Sequence, residues 1–230
     1  MRMINRFAAG TLALAIAFPL AAETMETADD RLSYTIGMDI GQSLSEQDIN
    51  INLDLLVEGL RAAYLGEETR LSREQADAER DSFMQRRQVE MVEQQQQEAQ
   101  RNLEEGQAFL AENRNNPEVQ ETASGLQYRV VQQGDGLSPS ATDRVTVHYR
   151  GTLINGVEFD SSYARNQPAT FGLNQVIPGW TEGVQLMQEG AIFEFFIPAE
   201  LAYGEQGRPG PIGPNSTLIF EVELIEVHDD

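Results

Sequence analysis

Apolar residues in the first third of the chain recur at the spacing of a helix. Two short amphipathic helices are predicted there, the first around 32–44 and the second over 53–64 with Asn52 as its N-cap. The apolar face of the first helix consists of Leu32, Ile36, Ile40 and Leu44. The apolar face of the second consists of Leu53, Leu56, Val57, Leu60 and Tyr64. Helices this short bury too little apolar surface to stand alone, so they need either a third element or a second copy of themselves.

A third and much longer helix is predicted from Ser72 to about Asn113. Ser72 followed by Gln75 has the pattern of a capping box, and no proline interrupts the stretch behind it, which is rich in Glu, Gln, Arg and Ala. At a rise of about 1.5 Å per residue, a helix of about 40 residues is about 60 Å long. Its apolar residues are sparse and hold no heptad, so the sequence does not predict a long coiled coil.

The middle of this long helix carries few apolar side chains. The glutamine run 94–97 and Gly106 indicate a solvated middle that can flex. We therefore interpret the helix as an exposed spacer whose first turns join the small helical core. Pro117, after two asparagines, ends it, and a polar linker continues to about Ser124.

Beyond Gly125 the hydrophobic period changes from that of a helix to two, which is typical of half-buried strands. Alternating apolar positions occur at Val145, Val147 and Tyr149, and again at Leu218, Phe220, Val222 and Leu224. Between them, one short stretch has helical spacing, at Trp180, Val184 and Met187. One helix packed on one face of an antiparallel sheet is an α+β arrangement, which is the fold class predicted for this part of the chain.

The chain begins with the pattern of a secretory signal. Arg2 and Arg6 form a short basic start, the apolar run 7–20 follows, and Ala21 and Ala22 close it. The run falls short of the roughly 20 residues that a bilayer crossing needs, so a retained membrane anchor is the less favoured alternative. The sequence contains no cysteine, which excludes disulfides and a lipid-modified cysteine after the signal. These features predict an exported, periplasmic protein with no integral membrane segment in the mature chain.

The composition is strongly acidic. The formal net charge is −21, and all 16 basic side chains are arginine. Such a surface offers little attraction to phosphate backbones or anionic lipid, so nucleic acid is not expected as a partner. With two histidines and no cysteine, the chain has too few of the residues that metal sites and acyl-transfer sites use. No metal and no cofactor is therefore predicted.

Three segments of the C-terminal region set aromatic and branched apolar residues among turn signals. They are VHYRGTLINGVEFDSS from Val147 to Ser162, QVIPGW from Gln175 to Trp180, and AYGEQGRPGPIGPNSTLIFEVEL from Ala202 to Leu224. Together they closely resemble the FKBP family of peptidyl-prolyl isomerases, over nearly all of residues 125–227. With the helical segment ahead of them, the whole chain is similar to the periplasmic FkpA/Mip branch of that family. The resemblance implies an FKBP-like antiparallel sheet wrapped on one short helix, and unfolded or proline-containing polypeptides as substrates.

The resemblance also assigns a site, position by position. It gives catalytic roles to Tyr149, Phe159, Asp160, Trp180 and Tyr203, and substrate-binding roles to Phe171, Val176, Ile177, Ile212 and Phe220. It implies that Trp180 is the base on which a proline ring sits, and that the Tyr203 hydroxyl donates to a ligand carbonyl. The segment around Ile177 would supply a backbone donor. From the residues alone, aromatic side chains on the inner face of a strand are more often ordinary core than part of a pocket.

The chain departs from the family pattern at three points. Ala169 stands where a phenylalanine is common, Gln175 where an acidic residue is common, and Arg208 where many members have histidine. The first departure opens one wall of the pocket and so bears on which residue is preferred before proline. The other two sit at the rim, where they bear on the affinity for macrolides of the rapamycin class, which the resemblance implies as inhibitors.

The resemblance and the undersized helical core together predict a homodimer. The predicted organisation is a signal peptide (1–22), a helical dimerisation domain (23–71), a long spacer helix with linker (72–122) and an FKBP-type isomerase domain (123–230). We interpret the protein as a peptidyl-prolyl cis-trans isomerase that assists the folding of exported proteins. As a dimer that grips a client at two places, it would also act as a chaperone. The alternative is a non-catalytic holdase that uses the apolar groove for binding only.

Overall fold

The structure, a computed structural model, describes residues 25–47 and 49–228. The predicted signal segment, 1–22, lies outside this part of the chain. The chain divides into two compact units, with the boundary between Ser72 and Arg73. No helix within the described residues has both the length and the apolarity that a membrane crossing requires.

The described residues of the first unit form two helices, α1 (Ala28–Glu46) and α2 (Leu53–Leu65). α1 begins at a capping box, in which the side chains of Thr27 and Asp30 each accept from the other residue's backbone N–H. Asn52 caps α2 as predicted, by accepting from the backbone N–H of Leu55. Neither helix buries a residue in the single chain, so the predicted apolar faces are largely exposed.

The second unit opens with α3 (Arg73–Asn113), and the prediction of one long, uninterrupted helix is correct. It contains 41 residues. Its second half is not a free spacer, because it packs on the sheet that follows. The ring of Phe109 lies 5.9 Å from that of Phe196 between centroids, and Asn102 donates to the carbonyl of Pro214.

The interpretation of Gly106 as part of a solvated middle is wrong. Gly106 is the one buried residue of α3, and a Cβ at this position would overlap Thr217 Oγ1. The glycine therefore allows close approach of the helix to the chain ahead of the last strand. The glutamine run 94–97, by contrast, is exposed as expected. The predicted domain limits at 71–72 and 122–123 stay a prediction.

The described part of the second unit contains one antiparallel sheet of seven strands. They are β1 (Val119–Glu121), β2 (Gln127–Gln132), β3 (Arg144–Leu153), β4 (Glu158–Ser161), β5 (Ala169–Gly172), β6 (Ile192–Ile197) and β7 (Leu218–His228). Their order is β1-β2-β6-β7-β3-β4, and β5 pairs with β3. The two longest strands, β3 and β7, pair with each other along their whole length. Their inward positions, such as Val145, Val147, Val222 and Leu224, are fully buried, as the alternating pattern predicts.

A short helix, α4 (Pro178–Val184), packs on the inner face of the sheet through two glycines. A Cβ at Gly179 would lie 2.5 Å from Ile197 Cγ2, and one at Gly183 would lie 2.7 Å from Phe195 Cε1. A larger residue at either position would push the helix away from the sheet. The predicted α+β fold, an antiparallel sheet wrapped on one short helix behind an all-helical segment, is confirmed.

Candidate active site

A groove with aromatic walls opens beside α4. Its volume is about 540 Å³, a size suited to a small ligand or part of a peptide. The residues that line it are Tyr149, Phe159, Asp160, Phe171, Gln175, Val176, Ile177, Trp180, Tyr203, Arg208 and Phe220. They come from four strands, from α4 and from the segments before and after it, so only the folded chain brings them together.

The floor of the groove is the indole of Trp180, which is 4 % exposed. Three rings meet it nearly at right angles: Tyr149 at 5.4 Å and 87°, Phe171 at 5.7 Å and 87°, and Phe220 at 5.2 Å and 83°. This edge-to-face arrangement is the one that aromatic quadrupoles favour. The buried indole N–H has no hydrogen-bond acceptor among the described residues. Packing, rather than a hydrogen bond to another side chain, therefore holds the ring in place.

The start of α4 fixes Trp180 and leaves a backbone donor at the groove. Pro178 occupies the first turn of the helix, where its missing N–H is not needed. A residue before proline is restricted to extended conformations, and Ile177 has φ −61° and ψ 148°. Its carbonyl accepts from the backbone N–H groups of Trp180 and Thr181. Its own N–H has no acceptor within residues 25–47 and 49–228.

The polar side of the groove is a hydrogen-bonded set of three side chains. The Tyr149 hydroxyl donates to Asp160 Oδ2 at 2.7 Å. Arg165 donates both to Asp160 Oδ1, at 2.6 Å, and to the Tyr149 hydroxyl oxygen, at 2.8 Å. Burial alone would raise the pKa of Asp160, but the hydrogen bonds from Arg165 and Tyr149 outweigh it and hold that pKa below its ordinary value. Burial and the hydrogen bond to Asp160 raise the pKa of Tyr149, so at neutral pH the carboxylate is charged and the phenol is neutral.

The loop from Tyr203 to Thr217, here called the groove loop, forms another side of the groove. Arg208 Nη1 donates to the Tyr203 hydroxyl oxygen at 3.3 Å, and the guanidinium carbon lies 5.7 Å from the centre of the Tyr203 ring. Ile212, predicted to bind substrate, is not among the residues that line the groove, and its role stays a prediction. Its side chain is buried in the core, and its carbonyl accepts from the Arg208 N–H at 2.8 Å. Ile212 therefore shapes the loop from behind.

The groove brings together the predicted site residues apart from Ile212, while their individual roles stay predictions. The rim departures Gln175 and Arg208 line it as well. Sequence reasoning missed Arg165, which follows Asp160 by five residues in a turn. No periodicity indicates that this side chain folds back onto β4. The one available signal was an opposite charge close to Asp160 in the sequence.

The groove can act on a bound group through the surroundings it provides rather than through a reactive side chain. The residues that line it, in the described chain, include no serine, cysteine, histidine or lysine. Its one carboxylate is already bound by Tyr149 and Arg165. What the groove offers a bound group is removal from water and fixed N–H and O–H donors. The fold and the site thus define an α+β protein whose aromatic groove suits a reaction without proton transfer or covalent intermediates.

Comparison with known proteins identifies the family. A family model described as FKBP-type peptidyl-prolyl cis-trans isomerase matches residues 136–225. A second, described as the domain amino terminal to FKBP-type peptidyl-prolyl isomerase, matches residues 29–130. The chain belongs to the FKBP-type peptidyl-prolyl cis-trans isomerases and is an enzyme of that type.

Individual relatives extend this similarity over most of the chain. The probable FKBP-type peptidyl-prolyl cis-trans isomerase FkpA of Neisseria meningitidis is 48% identical over 198 residues, which are 85% of this chain and 73% of the relative. The peptidyl-prolyl cis-trans isomerase Mip of Coxiella burnetii is 47% identical over 207 residues, 90% of each chain. The crystal structure of FkpA from Escherichia coli matches with a TM-score of 0.75 at 37% identity, over 88% of this chain and 98% of that one. The predicted resemblance to the FkpA/Mip branch is confirmed.

Proposed function

We propose that the groove holds an X–Pro segment of an exported polypeptide, with the proline ring on Trp180, and lowers the barrier to its isomerisation. One observation carries this proposal. The groove combines an aromatic floor with two donors that have no acceptor in the described residues, the Ile177 N–H and the Tyr203 hydroxyl. The ring of proline is apolar and the carbonyls around it accept hydrogen bonds, so a proline segment complements both features.

Isomerisation of the peptide bond before proline depends on the surroundings of that bond and requires no nucleophile. The peptide bond before proline has a barrier of about 20 kcal/mol and isomerises in tens of seconds, because amide resonance is lost as the bond twists. The planar amide is more charge-separated than the twisted one. Moving the bond from water to the apolar surface formed by Phe159, Phe220 and Trp180 therefore disfavours the planar form more than the twisted form.

The hydrogen-bond donors of the groove also favour the twisted amide over the planar one. A donor held in place by the fold stabilises the twisted amide without the reorganisation that water would need. In our proposal the Tyr203 hydroxyl and the Ile177 N–H bind carbonyls of the substrate. Asp160, fixed by Tyr149 and Arg165, keeps the polar side of the groove rigid. A neutral hydrogen bond of this kind contributes about 1 kcal/mol, which corresponds to about fivefold in rate.

The first unit supports the proposal of a homodimer. Leu32 is 59 % exposed and Leu60 is 54 % exposed in the single chain, and neither α1 nor α2 buries a residue. Two helices with open apolar faces gain stability when a second copy covers them. We propose that the faces predicted from the sequence are the dimer interface.

A dimer carries two grooves, and this is the basis of the proposed chaperone activity. A client bound by one groove meets the second at high effective concentration, which raises apparent affinity without any new contact. The signal-like start of the chain supports action in the periplasm. Macrolides of the rapamycin class would occupy the same groove, with Gln175 and Arg208 at its rim setting their affinity.

The site assignment is tested by removing one hydroxyl. We expect Tyr203→Phe in the full chain to lower kcat/KM on a proline tetrapeptide by about threefold to tenfold, the worth of one hydrogen bond. Tyr128→Phe is the matched control, because its hydroxyl binds Gln120 outside the groove. Equal activity of the two variants would contradict the donor role of Tyr203. A wild-type protein that suppresses aggregation but gives no isomerisation would favour the non-catalytic holdase instead.

A further inference from the structure

The groove loop is closed on itself by backbone hydrogen bonds. The N–H of Asn215 donates to the carbonyl of Gly204 at 2.9 Å, which ties the end of the loop to the residue after Tyr203. Nearer the tip, the N–H of Arg208 donates to the carbonyl of Ile212. Asn215 has φ +55°, a left-handed conformation that few residues adopt. The position of Tyr203 is therefore coupled to the position of Asn215.

The second half of α3 holds the same end of the loop. Asn102 Nδ2 donates to the carbonyl of Pro214 at 2.8 Å, and Asn215 Nδ2 donates to the carbonyl of Ala99 at 3.3 Å. One turn further along α3, Gly106 packs directly on Thr217. These positions on α3 lie three and four residues apart, so one face of the helix makes all the contacts.

The contacts are specific rather than incidental. Pro214 is buried, so water cannot easily replace Asn102 as the partner of its carbonyl. The side chain of Asn215 binds α3 while its backbone binds Gly204, so this single residue joins the helix to the neighbour of Tyr203. Hydrogen bonds therefore connect α3 to the residue next to Tyr203 through Asn215.

We infer that the second half of α3 is a positioning element of the isomerase site, and that Asn102 is a positioning residue that acts through Tyr203. The inference rests on the proposed role of Tyr203 as a donor. It makes the long helix part of the catalytic domain in function as well as in packing. The helix sets where the hydroxyl of the groove loop stands, although none of its own side chains lines the groove.

The test is a double-mutant cycle in the full chain, with kcat/KM on a proline tetrapeptide as the readout. We expect Asn102→Ala to lower kcat/KM by about threefold to tenfold, because one hydrogen bond that fixes the loop is lost. In the Tyr203→Phe background, the same substitution should lower it by less than about twofold, since no hydroxyl is left to position. Asn215→Gly keeps the left-handed conformation, removes the bond to Ala99 and should give the same pattern. Gln95→Ala, on an exposed part of α3, is the control.

Each outcome decides between the alternatives. Asn102→Ala activity equal to that of Gln95→Ala, with Tyr203→Phe slowed, would overturn the inference and leave the proposed site intact. Equal effects of Asn102→Ala with and without the Tyr203 hydroxyl would also overturn it, because general loosening of the fold acts in both backgrounds. Tyr203→Phe activity equal to wild type would overturn the donor role itself, and the inference with it. Circular dichroism at the assay temperature verifies that every variant is folded.

Discussion

Replacing Gly106 with alanine tests whether the second half of α3 is docked on the sheet domain. The added Cβ would overlap Thr217 Oγ1 and lie 3.3 Å from Thr217 Cβ. Thr217 is 5 % exposed, so its side chain has little room to turn aside. The helix itself favours the substitution, because alanine is better than glycine in a helix interior by about 1 kcal/mol.

Steric overlap lowers the stability and helix propensity raises it, and we expect the loss from the overlap to be the larger of the two. Overpacking in a well-packed site costs about 1–3 kcal/mol, so the net change is a loss of about 1 kcal/mol in the free energy of unfolding of the second unit. A Thr217→Ala background removes the Oγ1 that causes the overlap. There, Gly106→Ala should increase the free energy of unfolding by a few tenths to about 1 kcal/mol, so the effect of one substitution changes sign.

Urea unfolding of four proteins measures this cycle: wild type, each single variant and the double variant. With a slope of about 2 kcal/mol per molar urea, a loss of 1 kcal/mol moves the midpoint down by about 0.5 M. Stabilisation by Gly106→Ala in both backgrounds would refute the reasoning. It would mean that Gly106 is solvated and that α3 does not rest on Thr217.

Two further predictions concern the polar network and the dimer. The folded-state pKa of Asp160 is lowered, so this carboxylate stabilises the fold above its unfolded-state pKa and loses that contribution as pH falls through the folded-state value. Arg165→Gln should therefore destabilise at neutral pH, with a difference from wild type that shrinks on acidification; a difference independent of pH in urea unfolding would contradict this. Replacing both Ile36 and Leu60 with Glu should give a monomer in light scattering that retains tetrapeptide isomerisation and loses suppression of client aggregation. A dimer with this double substitution would show that the interface lies elsewhere.

Much of the fold follows from local pattern. The cap at Asn52, the unbroken run behind Ser72 and the alternation around Val145 each depend on residues close in the sequence, and each predicted element is present. The aromatic members of the groove were found because motifs, not periodicity, mark them. On a strand, Tyr149 has the same alternation whether it faces a core or a groove.

What the sequence pattern did not indicate depends on how the folded chain turns back on itself. From its neighbours in the sequence alone, Gly106 is interpreted as a flexible point. Its contact with Thr217, more than one hundred residues later, explains why a residue without a side chain is needed there. Ile212 stands in a matching motif, yet the path of the loop turns its side chain into the core. Arg165 reaches Asp160 only because a turn returns it to β4. Hydrophobic periodicity carries no information about such approaches.

Trp180 is the only tryptophan in the sequence. The intrinsic fluorescence of the protein, excited at the red edge of the indole band, therefore originates at the floor of the groove and nowhere else. Because this ring lines the groove, we expect its emission to change when a ligand replaces the solvent there. The native enzyme thus contains its own optical probe, so ligand occupancy can be titrated without a label.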